Sequence, residues 1–164
     1  MASTEIVDIV DEINNVVGSA DVETAHNEKL IHRVVGVFVF DVNGNLYLQK
    51  GNKYGKLDLS VGGHVQKGET YEDAARREMI EELGLDVPRQ HVTTFLPKEA
   101  RLGHYWAVFT AIAPSDWNFK ETEEVSSLEQ ISMTRIKEMM QKEPDLFTHG
   151  FRNTITELIR VKEL

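Results

Sequence analysis

A chain of 164 residues, 41% hydrophobic and 27% charged, has the length of one domain and the composition of a globular protein. Its net charge of -9 argues against a general nucleic-acid-binding surface, which is normally basic. The sequence lacks cysteine, a long apolar run and a basic-then-apolar leader, which excludes thiol chemistry and predicts neither a membrane span nor secretion. We therefore expect a cytoplasmic protein.

The first 30 residues or so are predicted to form a short hairpin or an extended arm. Apolar residues within 5–10 (EIVDIV) and 16–18 (VVG) flank a polar stretch, as in two strands joined by a turn. His26 and His32 follow. Two histidines at this spacing are able to bind a metal, but isolated histidines are more often surface or strand-start residues, and that interpretation is favoured.

A buried hairpin is predicted next. Residues 34–40 (VVGVFVF) form an unbroken apolar run of the kind found in strands that are buried on both faces. Asn43 and Gly44 supply a turn, and residues 46–49 form the returning strand. The central sheet is therefore expected to be built around this pair.

The lysine-rich loop 50–56 (KGNKYGK) has two interpretations of equal weight. It is either a solvated loop or a rim that meets substrate phosphates, with Lys50 and Lys53 as the candidate contacts. A short strand over 57–61 is then predicted to lead to Gly63, where a missing side chain lets the backbone come close to a ligand or metal.

A helix is predicted over 70–83. Thr70 begins a capping-box-like pattern, and Gly84 is a natural C-terminal stop. On a helical wheel, Glu78 and Glu82 lie inside the apolar arc rather than opposite it. These two acids are therefore predicted to point inward.

Glu81 lies three residues after Glu78, so that it can converge with Glu78 and Glu82 on one point. Two carboxylates about 5 Å apart repel by roughly 3 kcal/mol at an effective dielectric near 20, so a positive group is expected between them. An oxygen-rich cluster of this kind suits a hard divalent cation, Mg²⁺ or Mn²⁺. Arg77 is placed to brace one of the acids, with Glu69 as a candidate partner.

The second half of the chain is predicted to complete a mixed sheet with helices on both faces. Its strands are expected at 92–96, 104–113 and 130–133, and its helices at 134–141 and 148–161. Several aromatic residues are able to stack on a base, but core or rim packing is the more frequent role of such residues. They are Tyr54, Phe95, Tyr105, Trp106, Trp117 and Phe119.

The segment 63–85 (GHVQKGETYEDAARREMIEELGL) resembles the Nudix box at every defined position. The matching residues are Gly63, Glu69, Arg77, Glu78, Glu81, Glu82 and Gly84, together with aliphatic Met79 and Leu85. The flanking strands and helices are also similar to the Nudix fold. The resemblance implies an α+β protein in which α-helices sandwich a mixed β-sheet, an α/β/α sandwich, as a single Nudix hydrolase domain over residues 1–164.

The resemblance also implies a function. It is that of a Mg²⁺- or Mn²⁺-dependent hydrolase that cleaves the phosphoanhydride bond of a nucleoside diphosphate linked to another moiety. The implied metal ligands are Glu78, Glu82, Glu81 and the carbonyl oxygen of Gly63. The implied general base is Glu81 or a glutamate of the acidic run at 121–124, Glu124 or Glu123, although such a run is more often a solvated loop. A small-molecule substrate is expected as the partner, and a homodimer is compatible with the family.

Two alternatives to this hydrolase function are considered. The layout from His26 and His32 to His64 is similar to isopentenyl-diphosphate delta-isomerases of the same superfamily, which use three such histidines as metal ligands. Those isomerases also use a catalytic cysteine at the position of Gly62, which this chain lacks, and they usually break the glutamate pattern of the box. The second alternative is a non-catalytic nucleotide-binding module, a class that typically loses one or more box glutamates.

Overall fold

The computed structural model describes residues 5–51, 53–99 and 103–164, in which groups of two or three strands are separated by helices. The strands are β1 (Ile6–Val10), β2 (Val16–Asp21), β3 (His32–Phe40), β4 (Leu46–Lys50), β5 (Val61–His64), β6 (Arg89–Phe95), β7 (His104–Ile112) and β8 (Ser127–Ile131). The helices are α1 (Val22–Asn27), α2 (Tyr71–Leu83), α3 (Met133–Lys142) and α4 (His149–Lys162), with a 3₁₀ turn at Pro144–Leu146. Within the described ranges, no helix is both long and apolar enough to span a membrane.

The sheet is mixed, and β3 lies at its centre. β3 pairs in parallel with β7 over its whole length, from His32 opposite His104 to Phe40 opposite Ile112. Its pairings with β1, β4 and β5 are antiparallel, as are those of β1 with β2, β6 with β7 and β4 with β8. The predicted N-terminal hairpin is thus present, with β2 on an edge of the sheet.

Two hydrophobic cores cover the two faces of the sheet, because successive side chains of a strand point in opposite directions. On β3, Val35, Val37 and Val39 join the core that contains the apolar face of α2. Val34 and Phe38 join the other core, which contains Ile136 of α3 and the buried side chains of α4. The predicted sandwich of helices around a mixed sheet is confirmed.

Helix α2 begins and ends where the sequence indicates. The Thr70 hydroxyl accepts a hydrogen bond from the backbone N–H of Asp73, and Gly84 ends the helix in the left-handed conformation with φ of 63°. Ala74, Ala75 and Met79 are fully buried. The helix therefore packs on the sheet through the arc that also carries Glu78 and Glu82.

Two local predictions need correction, and one short helix is added. The strand expected at 57–61 lies instead at Val61–His64, because residues 57 and 58 form only isolated bridges while the glycine pair 62–63 joins the ladder with β3. The strand expected at 130–133 ends at Ile131, because Ser132 caps α3 by accepting from the backbone N–H of Arg135. Helix α1 was not predicted, since six residues are too few to show a helical period.

Candidate active site and histidine cluster

Glu78 and Glu82 of α2 are each only 5% exposed, as the helical wheel predicts. Glu78 packs against the backbone of β5 at Gly63, so closely that a Cβ atom at that position would lie 2.2 Å from the Glu78 carboxyl carbon. A side chain on residue 63 is therefore excluded. The requirement for glycine here comes from the carboxylate that it faces.

The carboxylate of Glu82 is held on one side only. Its Oε1 accepts from the Gln49 side chain at 2.7 Å and lies 3.5 Å from the backbone N–H of Gly62. Its Oε2 is buried and has no hydrogen-bond partner among the described residues. Burial raises the pKa of Glu82 and of its neighbour Glu78, because desolvation penalises the charged form.

Arg77 is the cation that joins Glu78 to two other acids, Glu69 and Glu81. Its guanidinium donates to both carboxylate oxygens of Glu69, at 2.8 and 2.9 Å, and to Glu78 at 2.8 Å. It also donates to the carbonyl oxygen of His64 at 3.0 Å and reaches Glu81 at 3.3 Å. These bonds fix α2 against β5.

The loop before β8 brings Glu124 to the box. Thr122 donates from its hydroxyl to the carbonyl oxygen of Glu82 at 2.8 Å, which anchors the loop on the end of α2. Glu78, Glu81 and Glu124 each then offer one carboxylate oxygen within 4.8 Å of the others. Burial, followed by the charge of Glu81, raises the pKa of Glu124.

The donor set fits a hard divalent cation. It is made of carboxylate oxygens alone, and the orphaned Oε2 of Glu82 is a buried acceptor beside it. Of the four predicted ligands, Glu78 and Glu81 belong to the close group, while Glu82 and Gly63 touch it through Glu78. Glu124, rather than Glu123, is the acid of the later loop that joins it.

A cleft of about 920 Å³ opens beside the carboxylates. Gln49, Gly63 and Glu82 line one part of it, and the N-terminal residues of α4 line another. Among the described residues, its cationic lining consists of Lys29, Lys56 and Arg152, and its aromatic lining includes Tyr54 and Trp106.

Lys50 and Lys53, which the sequence suggests as phosphate contacts, are not among the lining residues within the described ranges. The ammonium group of Lys50 lies 3.6 Å from Glu129 on the adjacent strand β8. That of Lys53 lies over the Tyr54 ring. For Lys50, the alternation of side chains along β4 explains the difference, since the preceding residue, Gln49, turns toward Glu82.

A second cluster adjoins the first. His26, His32, His64 and His104 each offer a ring nitrogen within 4.8 Å of the others, and His64 and His104 line the cleft. His32 begins β3, as the strand-start interpretation expects, but His26 and His32 are not isolated, because both lie in this cluster and His32 is fully buried. His104 was missed, since only its parallel pairing with β3 places it beside His32.

Comparison with known proteins agrees with this architecture. Residues 30–151 match the NUDIX domain family. Isopentenyl-diphosphate Delta-isomerase 2 of Photorhabdus laumondii is 33% identical over 164 residues, covering 94% of this chain and 92% of that protein. The uncharacterized Nudix hydrolase YfcD of Escherichia coli K12 is 33% identical over 129 residues, covering 75% and 72%. The crystal structure of DR0079 from Deinococcus radiodurans superposes with a TM-score of 0.69 at 29% identity, covering 85% and 90%.

Proposed function

The chain belongs to the Nudix family and is an enzyme that hydrolyses pyrophosphate bonds, and we propose that its substrate is a nucleoside diphosphate linked to another moiety. We propose further that it requires Mg²⁺, or Mn²⁺ in its place. The observation that carries this proposal is the convergence of Glu78, Glu81 and Glu124 beside the buried, half-satisfied carboxylate of Glu82. Arg77 contacts two of these four acids, Glu78 and Glu81, so that ionisation of all four would leave an excess of negative charge that a divalent cation would neutralise.

The metal would be held by Glu78, Glu81 and Glu82, with the Gly63 carbonyl oxygen as a further ligand. When bound, it would offset the negative charge of the phosphates and make water easier to deprotonate. The remaining contributions come from the chain itself. Arg77 holds Glu69, Glu78 and Glu81 in place, so that these acids need little reorganisation when substrate binds.

The general base is assigned to Glu124, with Glu81 as the other candidate. A base must reach a water that is aligned with the bond to be cleaved, and it works best when its pKa lies near the working pH. Glu124 is exposed, which gives it access to water, and its pKa is raised above the ordinary range of a glutamate. It would take the proton as the water attacks phosphorus.

Substrate phosphates are assigned to the cationic part of the cleft. Arg152 lines it, and the Nε of this side chain is buried with no hydrogen-bond partner among the described residues. Lys29 and Lys56 line the same cleft, so that positive charge is available in spite of the net charge of -9. Trp106 and Tyr54 also line the cleft, where aromatic side chains are able to pack against the rest of the substrate.

The test is a screen by ³¹P NMR and chromatography in the presence of Mg²⁺. It covers nucleoside diphosphates and triphosphates, nucleotide sugars, dinucleotides and isopentenyl diphosphate, with Glu82→Gln as the control enzyme. We expect metal-dependent cleavage of a nucleoside diphosphate derivative that the control lacks, and incorporation of ¹⁸O from labelled water into a phosphate of the product. Failure of every phosphoanhydride in the screen would contradict the proposal.

The isomerase remains the second candidate, because a relative with that name matches 94% of the chain and because His26, His32 and His64 cluster. The absence of cysteine from the sequence and the intact box glutamates argue against it. The same screen separates the two functions. Conversion of isopentenyl diphosphate to its isomer, without cleavage of any anhydride, would replace the hydrolase with the isomerase.

A further inference from the structure

The histidine cluster joins four separate elements of the fold at one point. His26 lies in α1, His32 in β3, His64 in β5 and His104 in β7. Each supplies one ring nitrogen to a group whose members all lie within 4.8 Å of one another. These histidines take no part in the hydrolysis proposed above, so the cluster requires an explanation of its own.

Hydrogen bonding among the rings cannot satisfy the cluster. The Nε2 of His26 lies 3.1 Å from Nε2 of His104 and 3.2 Å from Nε2 of His64. A neutral imidazole nitrogen carries either one hydrogen or one lone pair. His26 can therefore form a full hydrogen bond with only one of these neighbours, and the other is left with a close, unsatisfied nitrogen.

His32 shows which way the rings are turned. Its Nδ1 lies 2.8 Å from the carbonyl oxygen of Leu30, which can only accept, so this nitrogen carries the hydrogen. Its Nε2 must then present a lone pair to the cluster. That atom is buried in a residue that is fully inaccessible to solvent, and it has no hydrogen-bond partner among the described residues.

His64 repeats this arrangement. Its Nδ1 lies 3.6 Å from a carboxylate oxygen of Glu5, while its Nε2 faces His26. A carboxylate or carbonyl on the outer nitrogen of a histidine, with the inner nitrogen left for a metal, is the usual surrounding of metal-bound imidazole. His32 thus has the tautomer and the orientation of a metal ligand, and His64 has a carboxylate on its outer side.

The distances fit a small ion with four ligands. Zinc lies about 2.0–2.1 Å from a histidine nitrogen, and ligands at the corners of a tetrahedron of that size lie about 3.3–3.4 Å apart. The two measured Nε2–Nε2 separations, 3.1 and 3.2 Å, are close to that value. The remaining pairs of ring nitrogens lie within 4.8 Å of one another, so binding one ion would draw some of them closer.

We propose that His26, His32, His64 and His104 form a closed binding site for a transition-metal ion, Zn²⁺, distinct from the carboxylate site. Imidazole nitrogen suits zinc and its neighbours in the periodic table, whereas Mg²⁺ prefers oxygen. The ion reaches the site from the cleft, which His64 and His104 line. Burial lowers the pKa of His32 to about 4 and that of His104 to about 3, so these two rings are neutral, as a metal ligand must be.

The proposed role of this ion is structural. With four protein ligands the coordination is complete, whereas a catalytic zinc keeps one position for water or substrate. The ion would tie α1 and the N-terminal hairpin to the centre of the sheet. It would also hold β5 in the position in which Gly63 meets Glu78.

The first experiment measures metal content and coordination. The protein is purified with a tag that contains no histidine, stripped with a chelator and loaded with Zn²⁺ or Co²⁺. We expect one Zn²⁺ per chain to be retained through gel filtration in the presence of excess Mg²⁺. We also expect the strong visible absorption of four-coordinate Co²⁺, which six-coordinate Co²⁺ does not show.

The variants separate the two sites. His104→Gln should lose the four-coordinate spectrum, while His91→Gln, a change at an exposed histidine outside the cluster, should keep it. Glu82→Gln should also keep it, because the carboxylate site is not involved. Glu5→Gln should weaken Zn²⁺ binding by about 10–100-fold, as the loss of a carboxylate behind a metal-bound histidine does.

Stability gives a readout that is independent of activity. Zn²⁺ at a hundredfold excess over its Kd should raise the Tm of the wild-type protein by about 5–10 °C, and Mg²⁺ alone should not. If His104→Gln fails to fold, the Co²⁺ spectrum and the Zn²⁺-dependent Tm of the wild-type protein still test the proposed zinc site. A six-coordinate Co²⁺ spectrum, or zinc lost in Glu82→Gln and retained in His104→Gln, would overturn the proposal. Neither outcome bears on the hydrolase assignment.

Discussion

Two clusters of titratable side chains meet at consecutive residues of one short strand. Gly63 lies against the carboxylates of α2, and His64 belongs to the histidine cluster. Burial acts on both clusters but in opposite directions, because it disfavours whichever form is charged. It raises the pKa of the buried glutamates and lowers that of the buried histidines. One region thus offers carboxylate oxygens to a hard cation, and the other offers imidazole nitrogens.

The largest expected effect comes from breaking the carboxylate site alone. Glu82→Gln keeps the shape of the side chain and the contact with Gln49, but removes the charge that a divalent cation requires. We expect kcat/KM to fall by about 10³-fold or more, while Zn²⁺ binding at the histidines is unchanged. Steady-state kinetics and metal analysis of one preparation measure both. Asp73→Asn, an exposed change on the same helix, is the matched control, and an equal loss there would remove the special role of Glu82.

A smaller effect is expected when the general base of the carboxylate site is changed and its metal ligands are kept. Glu124→Gln should lower kcat by about 10²–10³-fold, because a general base contributes on that order, with little change in Mg²⁺ affinity measured by calorimetry. Glu123→Gln, at the adjacent position, should retain nearly full activity. If Mg²⁺ affinity falls as far as kcat in Glu124→Gln, this residue is a ligand and Glu81 is the better candidate for the base.

In the metal-free protein, the opposite pKa shifts of the buried histidines and glutamates should make stability depend on pH. A lowered folded-state pKa, as in His32 and His104, gives stability that is complete above about pH 6.5 and is lost as the pH falls toward 4 and 3. A raised folded-state pKa, as in Glu82, gives stability that is complete below the ordinary glutamate pKa and is lost as the pH rises. The free energy of unfolding should therefore decrease as the pH falls, because of the histidines, and also as the pH rises, because of Glu82.

Urea denaturation across pH, with metals removed, measures these two limbs. Glu82→Gln should flatten the alkaline limb and leave the acid limb in place. His104→Gln should do the reverse. A variant that flattened both limbs equally would show that the two clusters titrate as one.

The smallest expected effect concerns the lysines. Lys56 lines the cleft and Lys50 does not, so Lys56→Ala should raise KM by about fivefold, equivalent to roughly 1 kcal/mol, with kcat nearly unchanged. Lys50→Ala should change neither parameter by more than about twofold, since its exposed pairing with Glu129 contributes little. An increase in KM for Lys50→Ala alone would support the contact that the sequence suggests.

The sequence predicts well those features that depend on residues close together in the chain. Helix α2 could be placed because its cap, its stop and its apolar arc all lie within fifteen residues, and the inward orientation of Glu78 and Glu82 follows from helical geometry alone. The mixed sheet follows from the apolar run of β3. The position of β5 could not be predicted from the sequence, because a pair of glycines is typical of a loop and only their pairing with β3 shows that they belong to a strand.

His104, the fourth member of the histidine cluster, escaped prediction for a different reason. His104 is 72 positions away from His32 along the chain, and only the parallel register of β3 and β7 makes them neighbours. Glu124 is a similar case, since the anchoring bond from Thr122 to the end of α2 selects it over Glu123. Contacts that depend on the register of distant strands, or on how a loop is anchored, are not encoded in any short pattern.

The four residues of β5 have a consequence for how this protein is able to change over evolution. A strand alternates its side chains, so an insertion or deletion of a single residue before β5 would exchange the orientations of Gly63 and His64. After a deletion, the imidazole of His64 would occupy the position of Gly63 and collide with the carboxylate of Glu78. After an insertion, Gly63 would occupy the position of His64, and in both cases the histidine cluster would lose a member. Chain length is therefore constrained more tightly at this strand than at the exposed loops. Substitutions can alter either cluster alone, but a shift in register alters both at once.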